Sequence, residues 1–138
     1  MKVTSDLIVR TYECDSYGHV NNAVYVNFLE YGRMQFLNGI GFDYKGMVAA
    51  GYYIYITHID IHYKASAFLM DKLFIDVWPV DTGAVRGTLR QVIRKEDGTV
   101  CVEADVTWAT VTTQGRPTRL PKEYLVPGLF PEADKADK

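Results

Sequence analysis

A carboxylate and the start of a helical pattern lie seven residues apart near the beginning of this sequence. Asp15 follows an alternating segment, and the residue pattern becomes helical at Asn22. The first N–H groups of a helix lack partners within it and carry a partial positive charge of about half an electron. Such groups stabilise an oxyanion, and a nearby carboxylate can act as a base or a nucleophile. Hydrolysis of an activated acyl group requires this pair of groups.

The loop between the two groups contains Gly18 and His19. A glycine lets the backbone turn sharply and approach a ligand closely. Spacing alone leaves simpler roles open, since Asp15 also suits a turn or a helix cap, and His19 suits a loop histidine bonded to the backbone. Asn21 and Asn22 are equally typical of a turn followed by a cap.

The elements that must position these residues are predicted from periodicity and turn residues. The predicted order is a strand over 6–14, a helix over 22–38, a short helical turn over 44–49, and strands over 52–64, 72–80, 85–94 and 99–112. Short turns join the last four strands, and short turns force antiparallel neighbours. The sequence therefore predicts an α+β protein with one antiparallel sheet and one long helix.

The predicted helix is apolar around much of its girth, which is unusual for a helix covered on one side only. The large apolar members are Val24, Tyr25, Val26, Phe28, Leu29, Tyr31, Phe36 and Leu37. Either the sheet curls around the helix or a partner subunit covers the rest of it. Gly32 costs about 1 kcal/mol relative to Ala in a helix, which is tolerable where a helix must lie very close to a sheet.

Length and charge narrow the class of protein. The 138 residues fit a single domain over 1–130, followed by a charged stretch over 131–138 that we expect to be a disordered tail. A net charge of −2 without a basic cluster argues against nucleic-acid binding. The chain has no apolar run of about 18 residues and no apolar leader segment. The two cysteines, Cys14 and Cys101, have no metal-ligand spacing. We therefore expect a cytoplasmic protein with no membrane partner.

A specific motif surrounds Asp15. The stretch Cys14-Asp15-x-x-Gly18-His19-Val20-Asn21-Asn22-x-x-Tyr25, followed by Phe28-Leu29-Glu30-x-x-Arg33, resembles the active-site signature of the 4-hydroxybenzoyl-CoA thioesterase family. Within that family it is most similar to the branch that contains bacterial long-chain acyl-CoA thioesterases. Weaker similarities follow the same order along about residues 5–125, including His62-Tyr63-Lys64-Ala65 at the end of a strand.

The resemblance implies the hotdog fold, in which a curved antiparallel β-sheet wraps around a long central α-helix. It also implies an acyl-CoA thioesterase that acts as a homodimer or homotetramer, with active sites at the subunit boundary. The substrate would be an acyl-CoA, and no separate cofactor is expected, because CoA is part of the substrate.

The resemblance also assigns roles to residues. It implies that Asp15 is the catalytic carboxylate, as general base or nucleophile, and that the backbone N–H of Asn22 polarises the thioester carbonyl. Some members have a catalytic histidine at the position of Asn22, whereas here the histidine is His19, and its direct role stays open. The family's basic CoA-binding cluster is absent near Asp81-Thr82-Gly83. The candidate substrate-binding residues are Tyr17, Gly18, Tyr25, Lys64, Arg86 and Arg116, with the two tyrosines equally suited to the core.

Two alternatives remain at this point. A hotdog protein could bind acyl-CoA or an acyl carrier without catalysis, because a fold alone does not define a function. His58, Asp60 and His62 alternate along one strand and so share a face, a pattern compatible with a metal ion. The same pattern also suits a polar sheet face or an interface, and no fourth ligand is evident, so no metal site is predicted.

Overall fold

A computed structural model describes residues 1–132 of the chain. The strands are β1 (Val3–Ile8), β2 (Tyr52–Tyr63), β3 (Lys72–Thr82), β4 (Arg86–Lys95) and β5 (Val100–Thr112), and the helices are α1 (Asn22–Gly39) and α2 (Tyr44–Ala49). Single 3-10 turns occur at Thr11–Glu13, Lys122–Tyr124 and Pro127–Leu129. Most of the tail expected over 131–138 lies outside the described residues.

The five strands form one antiparallel sheet in the order β1-β3-β4-β5-β2. Helix α1 packs against β1, β3 and β4 on one face of this sheet. The predicted α+β class, the single long helix and the antiparallel connections are all confirmed. No described helix is both long and apolar enough to cross a lipid bilayer.

Helix α1 lies very close to the sheet at Gly32. A Cβ atom added there would come within 2.6 Å of the Ile75 side chain, which no ordinary packing tolerates. The neighbouring side chains of this face, Phe28, Leu29 and Phe36, are buried against the strands. The expectation that Gly32 marks a close approach of helix and sheet is confirmed.

The first strand ends earlier than predicted. The sequence alternates through residue 14, but pairing of β1 with β3 stops at Ile8, and Thr11–Glu13 form a 3-10 turn. The Glu13 carboxylate, buried in the turn, accepts hydrogen bonds from the N–H of Arg10 at 2.8 Å and from its Nη2 at 2.6 Å. This local pairing between side chain and main chain takes the backbone out of the sheet, so the prediction of a strand over 9–14 is wrong.

Candidate active site

The loop between β1 and α1 is held by the Asp15 side chain. Its Oδ1 accepts hydrogen bonds from the N–H groups of Tyr17 at 2.9 Å and His19 at 3.1 Å. The Asp15 N–H donates to the His19 carbonyl at 2.7 Å, which closes the turn. Gly18 has a φ of +81°, a left-handed conformation that glycine adopts without strain. Asp15 therefore has the turn-forming role that spacing left open, and within residues 1–132 its Oδ2 has no partner.

The first turn of α1 leaves one N–H group without an acceptor. The Asn21 side chain accepts from the N–H of Ala23 at 2.9 Å, and the Asn21 carbonyl accepts from the N–H of Val24 at 2.9 Å. Among residues 1–132, no acceptor is bonded to the N–H of Asn22. This group lies at the positive end of the helix dipole, so it is available to an electron-rich ligand atom.

The loop is fixed to its surroundings on both sides. The N–H of Asn21 donates to the Glu13 carbonyl at 3.0 Å, and the N–H of Val20 donates to the Ala67 carbonyl at 2.9 Å. Val20 and Glu13 are themselves buried. The positions of Asp15 and of the helix start are therefore set by the same small group of contacts.

A cavity of about 370 Å³ borders this loop. Its lining includes Asp15, His19, Asn22, Tyr25, Tyr63 and Lys64. The residues come from the loop, the first turn of α1 and the end of β2. The structure thus brings together five of the residues singled out in the sequence, with Tyr63 as an addition.

Two tyrosines connect the helix start to the chain after β2. The hydroxyl of Tyr25, which is buried, accepts a hydrogen bond from the N–H of Ala67 at 2.9 Å. Burial raises the pKa of Tyr25, so this phenol is neutral and keeps its proton for donation. The Tyr63 hydroxyl donates to the Asn22 carbonyl at 2.9 Å. Sequence analysis missed Tyr63 as a site residue, although it belongs to one of the weaker similar segments.

His19 and Lys64 border the cavity without contacting the Asp15 carboxylate. The His19 ring packs edge-on against Phe68, with 4.9 Å between ring centres. Within residues 1–132, the imidazole makes no hydrogen bond with Asp15. The Lys64 Nζ lies 3.6 Å from Glu103 on the neighbouring strand, and half of its side chain is exposed. The lysine is therefore free to reorient toward an anionic ligand.

Four predicted binding residues do not line this cavity. The Tyr17 side chain is 83% exposed, and Gly18 contributes only its backbone conformation. Arg86 pairs with Ala109, and the backbone of Arg116 bonds to Thr112, both near the end of β5 opposite to the cavity. One chain therefore does not bring these two arginines to Asp15.

The His58, Asp60 and His62 side chains do not form a metal-binding cluster. His62 Nε2 lies 3.1 Å from Asp60 Oδ1, and both side chains are more than half exposed on the edge strand β2. No three potential ligands converge anywhere in residues 1–132.

Comparison with known proteins identifies the class. The sequence profile of the Thioesterase-like superfamily matches residues 9–127. The chain belongs to this superfamily, and the predicted hotdog fold is confirmed.

Particular relatives carry thioesterase names. The chain is 35% identical over 104 residues to the long-chain acyl-CoA thioesterase FadM of Escherichia coli (strain K12), covering 75% of this chain and 78% of the relative. It is 31% identical over 117 residues to the chloroplastic acyl-acyl carrier protein thioesterase ATL2 of Arabidopsis thaliana, covering 84% of this chain. The chain spans only 62% of that plant protein.

A solved structure also supports membership of the Thioesterase-like superfamily. The probable thioesterase from Bartonella henselae superposes with a TM-score of 0.81 at 26% sequence identity. The match covers 88% of this chain and 100% of the Bartonella chain.

Proposed function

We propose that this protein hydrolyses acyl-CoA thioesters to a free acid and CoA. The observation that carries the proposal is the cavity that borders both Asp15 and Asn22. Within residues 1–132, one Asp15 carboxylate oxygen and the Asn22 N–H have no hydrogen-bond partner. A thioester carbonyl oxygen directed at this N–H gains a donor that strengthens as negative charge develops. The similarity to a long-chain acyl-CoA thioesterase supports CoA as the thiol part.

In the proposed reaction, Asp15 acts on the carbonyl carbon by one of two routes. As a general base, it removes a proton from a water molecule that attacks the carbon and expels the CoA thiolate. As a nucleophile, its free oxygen forms a mixed anhydride that water then hydrolyses. In both routes the Asn22 N–H stabilises the tetrahedral oxyanion, a contribution worth about 3 kcal/mol at comparable sites.

Two tyrosines and a lysine complete the proposed site. Tyr63 holds the Asn22 carbonyl and so fixes the orientation of the first helical turn. Tyr25 offers a hydroxyl proton to the bound thioester, because its oxygen already accepts from Ala67. Lys64 is the basic residue at the cavity that we propose for a phosphate of CoA, and a direct role for His19 stays open.

We further infer that the active form is a homo-oligomer in the cytoplasm. Strand β2 is at the edge of the sheet and, within residues 1–132, pairs only with β5. Its large apolar side chains Tyr55 and Ile56 are 46% and 40% exposed. Edge strands of this kind pair readily with another copy. Sedimentation of the purified protein tests this point, and a monomer at working concentration contradicts it.

The proposed activity is tested with a panel of acyl-CoAs of different chain length, together with aryl-CoAs, and a reagent that detects free thiol. Thiol release by the wild type and by Asp6→Asn, but not by Asp15→Asn, supports the proposal. Asp6 is a suitable control because it is an exposed aspartate on β1 that, among residues 1–132, has a single ion pair, with Lys72 at 3.4 Å. If the wild type releases no thiol from any substrate of the panel, a non-catalytic binding protein is favoured instead.

A further inference from the structure

A second cavity, of about 120 Å³, lies along the later turns of α1. It is a half-open groove between α1, β2, β4, β5 and the C-terminal segment, and its walls are mostly apolar, including Phe42, Ile54, Leu89, Trp108 and Leu129. A cavity of about 150 Å³ with such walls holds benzene, so this one suits a ring or a short run of methylene groups. None of its lining residues borders the cavity at Asp15.

Arg33 lies in the wall of this apolar cavity. Its Nη1 donates to Gln91 Oε1 at 3.1 Å. Gln91 is fully buried, and its Nε2 donates to the Leu29 carbonyl at 2.9 Å. The amide oxygen is thereby turned toward Arg33, which holds the guanidinium head in a fixed position.

No carboxylate of residues 1–132 lies within 4.0 Å of the Arg33 guanidinium. Burial lowers the pKa of Arg33, and the nearby Glu30 carboxylate opposes that effect. An arginine nevertheless stays protonated in proteins. A positive charge in apolar surroundings with only a neutral amide partner is costly, so the Arg33 guanidinium favours an anionic partner, although Glu30 places a negative charge in the same wall.

The remaining Arg33 donors have the chemistry that suits a carboxylate. A guanidinium has five N–H donors in a planar fork and binds a carboxylate through two parallel hydrogen bonds. We propose that this cavity binds the carboxylate of an apolar acid, with Arg33 as its counter-ion and the apolar part of the acid against Leu89 and Trp108.

The carboxylate that Arg33 binds can belong to either of two molecules. Asn22, Val26, Glu30 and Arg33 share one face of α1, and Arg33 is about 16 Å further along the helix axis than Asn22. The carboxylate could therefore be the far end of an acyl chain whose thioester lies at Asp15, an interpretation that rests on the proposed function. Alternatively it belongs to a separate molecule of free acid.

Calorimetric titration with octanoate and with 1-octanol tests the charge requirement without any need for hydrolysis. We expect the wild type to bind octanoate about tenfold more tightly than octanol, as for a charge-assisted hydrogen bond. Arg33→Met should abolish this preference, and Arg33→Lys should keep part of it. Glu30→Gln should increase the affinity for octanoate, because it removes a negative charge that borders the same cavity. Circular dichroism verifies that each variant is folded.

Hydrolysis assays distinguish the two sources. If the carboxylate is the far end of the substrate, the CoA monothioester of decanedioic acid should have a kcat/KM about tenfold above that of decanoyl-CoA, and Arg33→Met should remove the difference. If it is a free acid, octanoate binds with the same Arg33 dependence while the two thioesters react equally.

The proposal is overturned if folded wild-type protein prefers neither octanoate to octanol nor the thioester of decanedioic acid to decanoyl-CoA. It is also overturned if Arg33→Met keeps the preference that the wild type shows. In that outcome, continued hydrolysis of both thioesters leaves the proposed function standing. Octanoate binding that depends on Arg33, in a protein that hydrolyses neither thioester, would instead support the cavity and contradict the thioesterase.

Discussion

Asp15 and Asp76 are carboxylates in contrasting surroundings. Asp76 is 4% exposed, and both of its oxygens have side-chain partners from other strands. Its Oδ1 accepts from the Thr4 hydroxyl at 2.6 Å, and its Oδ2 accepts from Arg94 Nε at 2.9 Å. Asp15 is half-buried and accepts two main-chain N–H bonds through one oxygen.

The difference separates a structural carboxylate from one that is available for chemistry. Asp76 connects β1, β3 and β4, and both of its oxygens accept hydrogen bonds from side chains of the neighbouring strands. Asp15 organises only its own loop, keeps an oxygen without a protein partner in residues 1–132, and borders a cavity. We therefore expect substitutions at Asp76 to change stability and substitutions at Asp15 to change turnover.

The largest expected effect is that of Asp15→Asn on turnover. The amide oxygen can still accept from Tyr17 and His19, so the loop should keep its shape, but the base or nucleophile is lost. We expect kcat to fall about a thousandfold, or roughly 4 kcal/mol. The melting temperature should stay close to that of the wild type. Near-wild-type turnover by Asp15→Asn would contradict the catalytic assignment.

Asn22→Pro tests the main-chain half of the site. Proline is favoured at the first position of a helix and removes the N–H, and the extended backbone of Asn21 (φ −60°, ψ 138°) suits a following proline. We expect kcat to fall about a hundredfold, or roughly 3 kcal/mol, as for other lost oxyanion donors.

Asn22→Ala is the matched control for this experiment. It removes the side chain and keeps the N–H, so its turnover should stay within about threefold of the wild type on the view that only the main-chain donor acts. Equal losses in the two variants would mean that the side chain, rather than the N–H, is used.

Asp76→Asn tests whether the Asp76 carboxylate has a purely structural role. The substitution leaves Arg94 without its carboxylate partner in the middle of the sheet, and we expect a loss of about 2 kcal/mol in the free energy of unfolding. Urea denaturation measures this loss. Turnover per folded molecule should be unchanged, and a large fall in kcat would show that the two carboxylates are not separable.

Local signals in the sequence predicted much of the fold and of the loop. The start of α1 was correct because Asn21 is a cap, and its end was within one residue because Asn38-Gly39 stops a helix. Asp15, Gly18 and the helix start formed one predictable unit, because all of them lie within eight residues of each other.

Other features depended on contacts between distant parts of the chain. The Tyr63 hydroxyl reaches Asn22 across 41 residues, and Arg33 meets Gln91 across 58 residues. Nothing in their local sequence indicates these pairs. The early end of β1 was missed for a different reason, since alternation continues after Ile8 while the Glu13 carboxylate pairs with the Arg10 backbone.

The smallest expected effect concerns the pH dependence of the stability that Asp76 contributes. Burial alone raises the pKa of Asp76, but the hydrogen bonds from Arg94 and Thr4 outweigh it, so the pKa is lower than usual. An unfolded aspartate has a pKa of about 3.9. The folded state therefore favours the ionised form, and this stabilisation is present above about pH 4 and is lost as the pH falls through the folded pKa.

The measurement is the difference in unfolding free energy between the wild type and Asp76→Asn over a series of pH values. Because all other carboxylates are common to both proteins, their contributions largely cancel in this difference. We expect it to be constant above about pH 5 and to shrink below about pH 4. A difference for Asp76→Asn that grows toward acid would mean that the ion pair with Arg94 does not stabilise the folded sheet.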